Sequence, residues 1–312
     1  MDKNLALEFV RVTESAAIAA AKWIGRGDGK AADKAAVDEM RDRFNQIDFA
    51  GEIVIGEGEK DQAPQLYTGE KVGQGKEPIM DIAVDPLECT DSVAWGRYNA
   101  IAVIATGPQG SLLSAPDTYM DKIAVGSQAA PVIDLDASVK DNLQKIAQAL
   151  HKEIGELMVV VLDRPRHEEL IKEIRATGAR VMLITDGDVA AAIATCRPDS
   201  GIDVLMGVGG STEAVLAAAA LRIYGGEILC RFQSRKEEDI SKIKELSVKD
   251  INKIFTATDL AQGDQLTFTA TGVIDGPLLQ GVVFGEDKII TNSVVMRLKS
   301  KTIRYLTTEH RE

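Results

Sequence analysis

The sequence is poor in aromatic residues and cysteine, and these shortages exclude several classes of protein. Aromatic residues make up 4% of the 312 residues, and acids outnumber Lys and Arg by 48 to 36, so the formal net charge is −12. Few rings and a negative charge both argue against a nucleic-acid binder. The three cysteines are odd in number and far apart. This spacing argues against a disulfide framework or a zinc cage and favours reduced thiols in a cytoplasm.

The chain also lacks the patterns of a membrane or exported protein. No apolar run approaches the roughly 18 residues of a membrane span. The first residues, MDKNLALEF, do not show the basic and then apolar order of a signal peptide. We therefore expect a cytoplasmic protein that binds neither membranes nor nucleic acid.

The spacing of apolar residues divides the chain into two halves. The first, about 1–150, mixes amphipathic helices at 5–23 and 31–47 with strands at 52–55, 79–84, 100–105 and 122–125. The second, about 151–312, alternates apolar strands with helices, which is typical of a parallel, doubly wound sheet. We predict an α/β protein with a domain boundary near 145–155. The β-type runs that return from about 265 are not assigned to either sheet.

The strongest candidate site follows the predicted strand 79–84, which we expect to end at Asp85-Pro86. Asp85 and Glu88 lie three residues apart, and the hydroxyl of Thr90 comes two residues later. Two carboxylates at the end of a strand would hold a hard divalent cation, beside a hydroxyl group that orients water. A capped turn, in which Asp85 and Thr90 bond backbone groups, is the alternative interpretation and stays open.

Two further acidic segments are weaker candidates on their residues alone. Glu57 lies between glycines in the segment 55–61, where a polar hairpin tip is the favoured interpretation. The glycine-rich segment 25–29 precedes a helix and is a candidate anion-binding nest beside Arg26 and Lys30. Asp33, in the first turn of that helix, is equally well explained as a residue that stabilises the helix dipole.

Loops in the second half carry groups that suit a phosphate. The segment 205–213 is expected to be a strand, a glycine loop and a helix start, with Glu213 in the first turn. It lacks the Gly-Lys-Ser/Thr of a P-loop. The segments 186–188 and 164–167 also follow strands, and paired arginines suit bidentate phosphate recognition, although a basic surface loop is equally open. His167 is a candidate general base, but a lone histidine beside arginines is more often a structural or substrate contact.

These features together indicate one reaction class. An acidic protein would repel a phosphorylated substrate unless divalent cations neutralised its clustered carboxylates. Oxygen ligands select Mg²⁺ or Mn²⁺ over zinc or copper. The sequence therefore predicts metal-assisted transfer of a phosphoryl group to water.

Seven blocks of the chain carry a family resemblance. They occur in one order at 11–17, 25–28, 53–59, 85–88, 115–117, 165–167 and 186–191, with a weaker block at 268–273. In these blocks the sequence resembles the class II (GlpX-type) fructose-1,6-bisphosphatases of the lithium-sensitive sugar-phosphatase superfamily. The resemblance implies stacked α/β/α/β/α layers, with a mixed sheet in the N-terminal half and a doubly wound C-terminal half.

The resemblance also implies an activity. The expected reaction is hydrolysis of the 1-phosphate of fructose 1,6-bisphosphate in gluconeogenesis, with Mn²⁺ or Mg²⁺ as cofactor. Another sugar bisphosphate, such as sedoheptulose 1,7-bisphosphate, is the alternative substrate. A homo-oligomer, either a dimer or a tetramer, is expected for a metabolic enzyme of this type.

The same resemblance implies roles for individual residues. The first half, 1–150, would be the metal-binding domain and the second, 151–312, the substrate-binding domain. Catalytic roles fall to Asp85, Glu88 and Thr90, of which Thr90 would position or activate the attacking water. The implied metal ligands form two sets, Asp33 with Glu57, and Asp85 with Glu88 and Glu213. The implied substrate contacts are Glu88, Cys89, Thr90, Tyr119, Arg164, Pro165, Arg166, Asp186, Gly187, Asp188 and Gly210.

Three positions depart from the family pattern. Cys89 stands where the superfamily usually has glycine, and a positive φ there would cost about 1–2 kcal/mol. Gly29 occupies a place where lysine is common, with Lys30 next to it. Arg164 replaces a lysine and keeps the charge while changing its geometry. We expect Cys89 to weaken activity more than abolish it, which leaves a weakly active sugar-phosphate binder as a further alternative.

Overall fold

The computed structural model describes residues 5–56, 66–233, 240–241, 243 and 250–311. The chain forms two compact units, 1–114 with 262–312, and 115–261. We call them unit 1 and unit 2. None of the helices described has the length and apolar character needed to traverse a lipid bilayer.

The predicted helices are confirmed, with differences at their ends. Asp28 accepts a hydrogen bond from Ala31 N–H at 3.0 Å and caps the second helix, which begins two residues before its predicted start. Ser138 caps the fourth in the same way. The third helix has only six residues, too few for a periodic pattern, and was not predicted. The described helices are α1 (Ala6–Ala21), α2 (Gly29–Phe44), α3 (Thr90–Trp95), α4 (Val139–Leu150), α5 (Glu168–Ala176), α6 (Asp188–Ala194), α7 (Ser211–Tyr224) and α8 (Ala257–Leu260).

The strands include every predicted one and several that the pattern did not indicate. The pattern did not indicate the strands at Lys71–Gly73, Glu227–Phe232, Val283–Phe284 and Thr302–Arg311. Two of these have only two or three residues, and Thr302–Arg311 has no buried residue. The described strands are β1 (Ala50–Ile55), β2 (Lys71–Gly73), β3 (Ile79–Glu88), β4 (Ala100–Pro108), β5 (Tyr119–Val125), β6 (Met158–Leu162), β7 (Arg180–Ile184), β8 (Val204–Gly210), β9 (Glu227–Phe232), β10 (Thr267–Ile274), β11 (Val283–Phe284), β12 (Lys288–Arg297) and β13 (Thr302–Arg311).

Unit 1 is built on a mixed sheet of eight described strands. The order is β11-β12-β10-β4-β3-β1-β2, with β13 beside β12. Only β1 and β3 pair in parallel, and the other described pairs are antiparallel. Helices α1 and α2 pack on this sheet and bury a core that includes Phe9, Met40, Phe44 and Ile82. The predicted mixed sheet of the N-terminal half is thereby confirmed.

Unit 2 has its own five-stranded mixed sheet, in the order β7-β6-β8-β5-β9. Strands β6, β7 and β8 are parallel, and β5 pairs antiparallel with both β8 and β9. Helices α4 and α5 bury Leu143, Ile146 and Ile174 against one part of the sheet, while α6 and α7 contact β8 outside that core. The fold is therefore mixed α/β, with a doubly wound parallel part in unit 2.

The division of the chain differs from the predicted boundary near 150. Strand β5 hydrogen-bonds to β8 and β9, so the chain enters unit 2 at residue 115. The C-terminal strands belong to unit 1, because β10 pairs with β4 from Thr267 opposite Thr106 onward. The new boundary and the assignment of the C-terminal strands both come from pairings between strands that are distant in the sequence, which a local pattern does not reveal.

Replacement of Phe44 by alanine is expected to destabilise the protein by about 3–5 kcal/mol, because it leaves a cavity in the core of unit 1. Phe44 is fully buried, and its ring centroid lies 6.3 Å from that of Phe9 and 6.1 Å from that of Phe49. Urea unfolding measures the change. The matched control is Phe284→Ala on β11, where the ring is 49% exposed and the loss should be under about 1 kcal/mol. Equal losses would contradict the assigned core.

Candidate active site

Strand β3 ends in a bulge that carries two buried carboxylates. The register between β3 and β4 shifts between Asp85 and Glu88, whose exposed fractions are 1% and 3%. Pro86 lies inside the strand and does not end it as predicted, because the bulge accommodates a residue without an N–H group. Asp85 Oδ1 accepts a hydrogen bond from Leu87 N–H at 3.0 Å. The two acids therefore lie together at one irregular point of the sheet.

The residues that follow begin helix α3. Cys89 precedes the helix with φ 75° and ψ 49°, in the left-handed region. Its side chain is buried, and Asn99 Nδ2 donates to its sulfur at 3.7 Å. Thr90 Oγ1 donates to Leu87 O at 3.2 Å. The capped-turn interpretation is thus correct for the backbone bonds of Asp85 and Thr90, and the positive φ that would penalise a Cβ at Cys89 is present.

The glycine-rich segment 25–29 does not form the expected anion nest. The N–H groups of Gly25 and Gly27 donate to Val93 O at 2.9 Å and to Ala94 O at 2.8 Å, in helix α3. Arg26 lies over the ring of Trp23, 5.5 Å from its centroid. These bonds use the amides that an anion would need, and they hold the start of α2 against α3.

Asp33 lies on the face of α2 that contacts α3. A Cβ added to Gly29 would be 3.0 Å from Thr90 Cγ2, so the first turn of α2 touches Thr90. Asp33 is four residues further along and shares that face. Burial raises the pKa of the Asp33 carboxyl above its ordinary value. Asp33 is therefore placed on the side of α2 that faces the residue after the β3 bulge.

Unit 2 gathers its predicted residues around the end of β8. Tyr119 on β5 pairs with Gly210 on β8. Arg166 lies over the Tyr119 ring, 5.2 Å from its centroid, and donates to Val208 O from both Nε and Nη2. Arg164 forms a salt bridge with Asp186. The structure thus brings together residues from three separate predicted segments.

A buried ion pair lies beneath the same strand end. Lys122 Nζ is 2.8 Å from Asp188 Oδ2, and their side chains are 2% and 7% exposed. Asp188 opens α6 after Gly187, which has φ 90°. The sequence analysis missed Lys122, although a lysine inside the apolar run of β5 was a visible signal. The pair identifies Lys122 as the charge partner of a predicted substrate contact.

Glu213, in the first turn of α7, lies near this ion pair. Burial, and then the charge of Asp188, raise the pKa of Glu213 to about 7, against the opposing effect of Lys122. A Cβ on Gly210 would be 1.9 Å from Glu213 Oε2, so a larger residue there would require the Glu213 side chain to move. The residues predicted as a glycine loop belong to β8 itself, and the glycines allow the strand to pass close to buried acids.

The comparison with protein families decides what these residues belong to. A family model described as bacterial fructose-1,6-bisphosphatase, glpX-encoded, matches residues 3–310. The chain belongs to this family.

Named relatives of the chain lie in the glpX-encoded fructose-1,6-bisphosphatase family as well. Fructose-1,6-bisphosphatase 1 class 2 of Escherichia coli K12 is 45% identical over 99% of this chain and 96% of the relative. Fructose-1,6-bisphosphatase class 2 of Haemophilus influenzae is also 45% identical, over 99% of this chain and 97% of the relative. The resemblance seen in the sequence is confirmed.

Membership of the fructose-1,6-bisphosphatase family implies dependence on a divalent metal ion, and the donor chemistry of the site fits one. Asp85 and Glu88 are buried carboxylates, and burial already disfavours the charged form of Asp33. Carboxylate oxygens in such a setting suit a hard divalent cation, which would favour the ionised form of Asp33.

The five predicted ligands are not all described together. Glu57 lies outside the described residues, and Glu213 belongs to unit 2. Among the described residues, no group of three or more His, Cys, Asp or Glu side chains is arranged to hold a metal ion. The two sets of ligands that the fructose-1,6-bisphosphatase resemblance implied therefore stay predictions.

Cys89→Gly is expected to be more stable than Cys89→Ala by about 1 kcal/mol, because only glycine removes the strain of a Cβ in the left-handed region. The larger conformational entropy of glycine in the unfolded chain offsets part of that gain. Both variants remove the thiol, so the lost contact with Asn99 cancels. Denaturant unfolding of the two variants measures the difference. Equal stabilities would show that the positive φ at this position carries no penalty.

Lys122→Met is expected to cost about 3–5 kcal/mol of unfolding free energy, because it leaves Asp188 buried without its partner charge. The matched control is Lys172→Met, which removes an exposed pair with Glu169 and should change stability by less than about 1 kcal/mol. Thermal and urea unfolding check both variants. A loss no greater than that of the control would contradict the importance of the buried pair.

Proposed function

We propose that the chain hydrolyses the 1-phosphate of fructose 1,6-bisphosphate to give fructose 6-phosphate and phosphate. The match of residues 3–310 to the family supports the proposal most strongly. The buried carboxylates at the β3 bulge and the arginines near the end of β8 add the expected chemistry, since one set suits a cation and the other an anion.

Mn²⁺ or Mg²⁺ is the proposed cofactor, since both prefer oxygen ligands. We propose that Asp33 and Glu57 hold one ion, and that Asp85, Glu88 and Glu213 hold another. When bound, a divalent cation neutralises charge on the phosphate and makes phosphorus easier to attack.

The protein's own groups have separate proposed tasks. Thr90 Oγ1 donates to Leu87 O, and its two oxygen lone pairs can accept a hydrogen bond from an attacking water and so orient it. The backbone N–H groups of Cys89 and Thr90, at the start of α3, would donate hydrogen bonds to the phosphate. Glu88 would contact the sugar. The remaining proposed sugar-phosphate contacts are Tyr119, Arg164, Pro165, Arg166, Asp186, Gly187, Asp188 and Gly210.

A weakly active sugar-phosphate binder is the second candidate function, and one observation favours it. Cys89 has φ 75° and a buried side chain at the turn beside Glu88 and Thr90. A residue with a Cβ is strained in this conformation, and the strain lies at the turn that would bond the phosphate. Turnover that rises in Cys89→Gly without a change in affinity supports this candidate, and side-by-side kcat/KM values for fructose 1,6-bisphosphate and sedoheptulose 1,7-bisphosphate decide the substrate. The dimer or tetramer stays a prediction.

Asp85→Asn is expected to lower kcat for fructose 1,6-bisphosphate by about a hundredfold or more in the presence of Mn²⁺, because it removes a charged ligand while its amide oxygen still accepts from Leu87 N–H. Phosphate release measures the rate, and a chelator should abolish it in the wild type.

The control for this variant is Asp91→Asn, an exposed acid in the first turn of α3. It should retain activity to within about twofold, because surface substitutions rarely exceed 0.5 kcal/mol. Full activity of Asp85→Asn, or insensitivity of the wild type to chelator, would refute the proposed metal-assisted reaction.

A further inference from the structure

His167 lies at the end of the short helical turn Pro165–His167 and is 1% exposed. Its Nδ1 is 2.7 Å from Leu162 O, and its Nε2 is 2.8 Å from Val208 N. A carbonyl oxygen only accepts and a backbone N–H only donates, so Nδ1 carries the proton and Nε2 is the acceptor. The ring is therefore a neutral imidazole in one tautomer. Both nitrogens bond the backbone, which is incompatible with the role of a general base.

Arg166 bonds the other backbone polar group of the same residue, Val208. Arg166 donates to Val208 O from Nε at 3.1 Å and from Nη2 at 2.7 Å. His167 thus bonds the N–H of a residue whose C=O anchors the guanidinium. The guanidinium also lies over the Tyr119 ring. Because its two hydrogen bonds go to Val208 O, its position over that ring depends on where the Val208 backbone is fixed.

Strand β8 is shaped to receive the imidazole. Gly207 has φ 126°, and a Cβ there would be 2.9 Å from His167 Nε2. Any other residue would both strain the backbone and push the ring away from Val208. The ring joins the end of β6, through Leu162, to the end of β8.

We propose that His167 is a positioning residue. It fixes the backbone of Val208 and thereby holds Arg166 in the position to bind the sugar phosphate. The inference rests on the proposed function, because Arg166 matters only if it contacts an anionic substrate. His167 itself does not touch substrate in this proposal. It affects substrate binding only through the backbone of Val208 and the side chain of Arg166.

The test is a double-mutant cycle with His167→Phe and Arg166→Met. Phenylalanine preserves the ring shape and removes both hydrogen bonds, so we expect KM for fructose 1,6-bisphosphate to rise about tenfold while kcat changes less than about threefold. In the Arg166→Met background, His167→Phe should have almost no further effect on KM. Additive effects in the cycle would overturn the proposal. A fall in kcat of about a hundredfold with KM unchanged would also overturn it, since that pattern belongs to a proton-transfer group.

A conservative variant guards against simple misfolding. His167→Gln retains one acceptor and one donor, and it should recover part of the lost affinity if position is what matters. Equal losses in His167→Gln and His167→Phe, with unchanged thermal unfolding, would contradict the proposal. The same cycle measured by calorimetric binding of fructose 1,6-bisphosphate needs no turnover. If the wild type binds this bisphosphate without hydrolysing it, the proposed function fails while the coupling between His167 and Arg166 is still decided.

Discussion

A carboxylate that is buried away from water needs a compensating charge, and this requirement shapes the interiors of both units. An isolated ionised acid in an apolar interior is so unfavourable that it either pairs or takes up a proton. In unit 2 the constraint is met by a lysine, since Lys122 lies 2.8 Å from Asp188. Glu213, beside the pair, has its pKa raised to about 7 because burial, and then the charge of Asp188, disfavour its ionised form more than Lys122 favours it. In unit 1 the raised pKa of Asp33 shows the same pressure, and a divalent cation is the charge that would relieve it.

The backbone around these acids departs from regular structure where a buried charge has to be accommodated. In β3 the bulge at Pro86 places Asp85 and Glu88 at one point of the sheet. In β8 the departure is in side-chain size, since Gly210 leaves the space that Glu213 Oε2 fills. A regular strand would alternate its side chains across the two faces and separate such groups. The bulge in β3 and the small residue Gly210 in β8 are therefore what allow each sheet to hold buried acidic side chains near a strand end.

Local patterns in the sequence predicted most of the described helices and strands but not their long-range arrangement. The apolar periodicity of α1 and the unbroken apolar run of β6 follow from short-range physics, and both appear where predicted. The pairing of β10 with β4 joins residues over 150 positions apart, so no local signal places the C-terminal strands in unit 1. For the site, carboxylates after strands were visible as a pattern. Lys122 was visible as a lysine inside an apolar run, but its role was not, because a lysine in a strand is ordinarily exposed and only the tertiary fold buries it beside Asp188.

The contrast between Lys122 and Arg166 explains why the two cations suit different tasks. Lys122 is a point charge buried against an acid, and it stabilises the fold by neutralising a neighbour. Arg166 is exposed, yet it bonds one carbonyl through two nitrogens and lies over a ring, which fixes a planar cation in one orientation. A cation fixed before a ligand arrives loses little conformational freedom on binding. The backbone bond from Val208 to His167 extends this argument one step, because a guanidinium is only as well placed as the carbonyl that holds it.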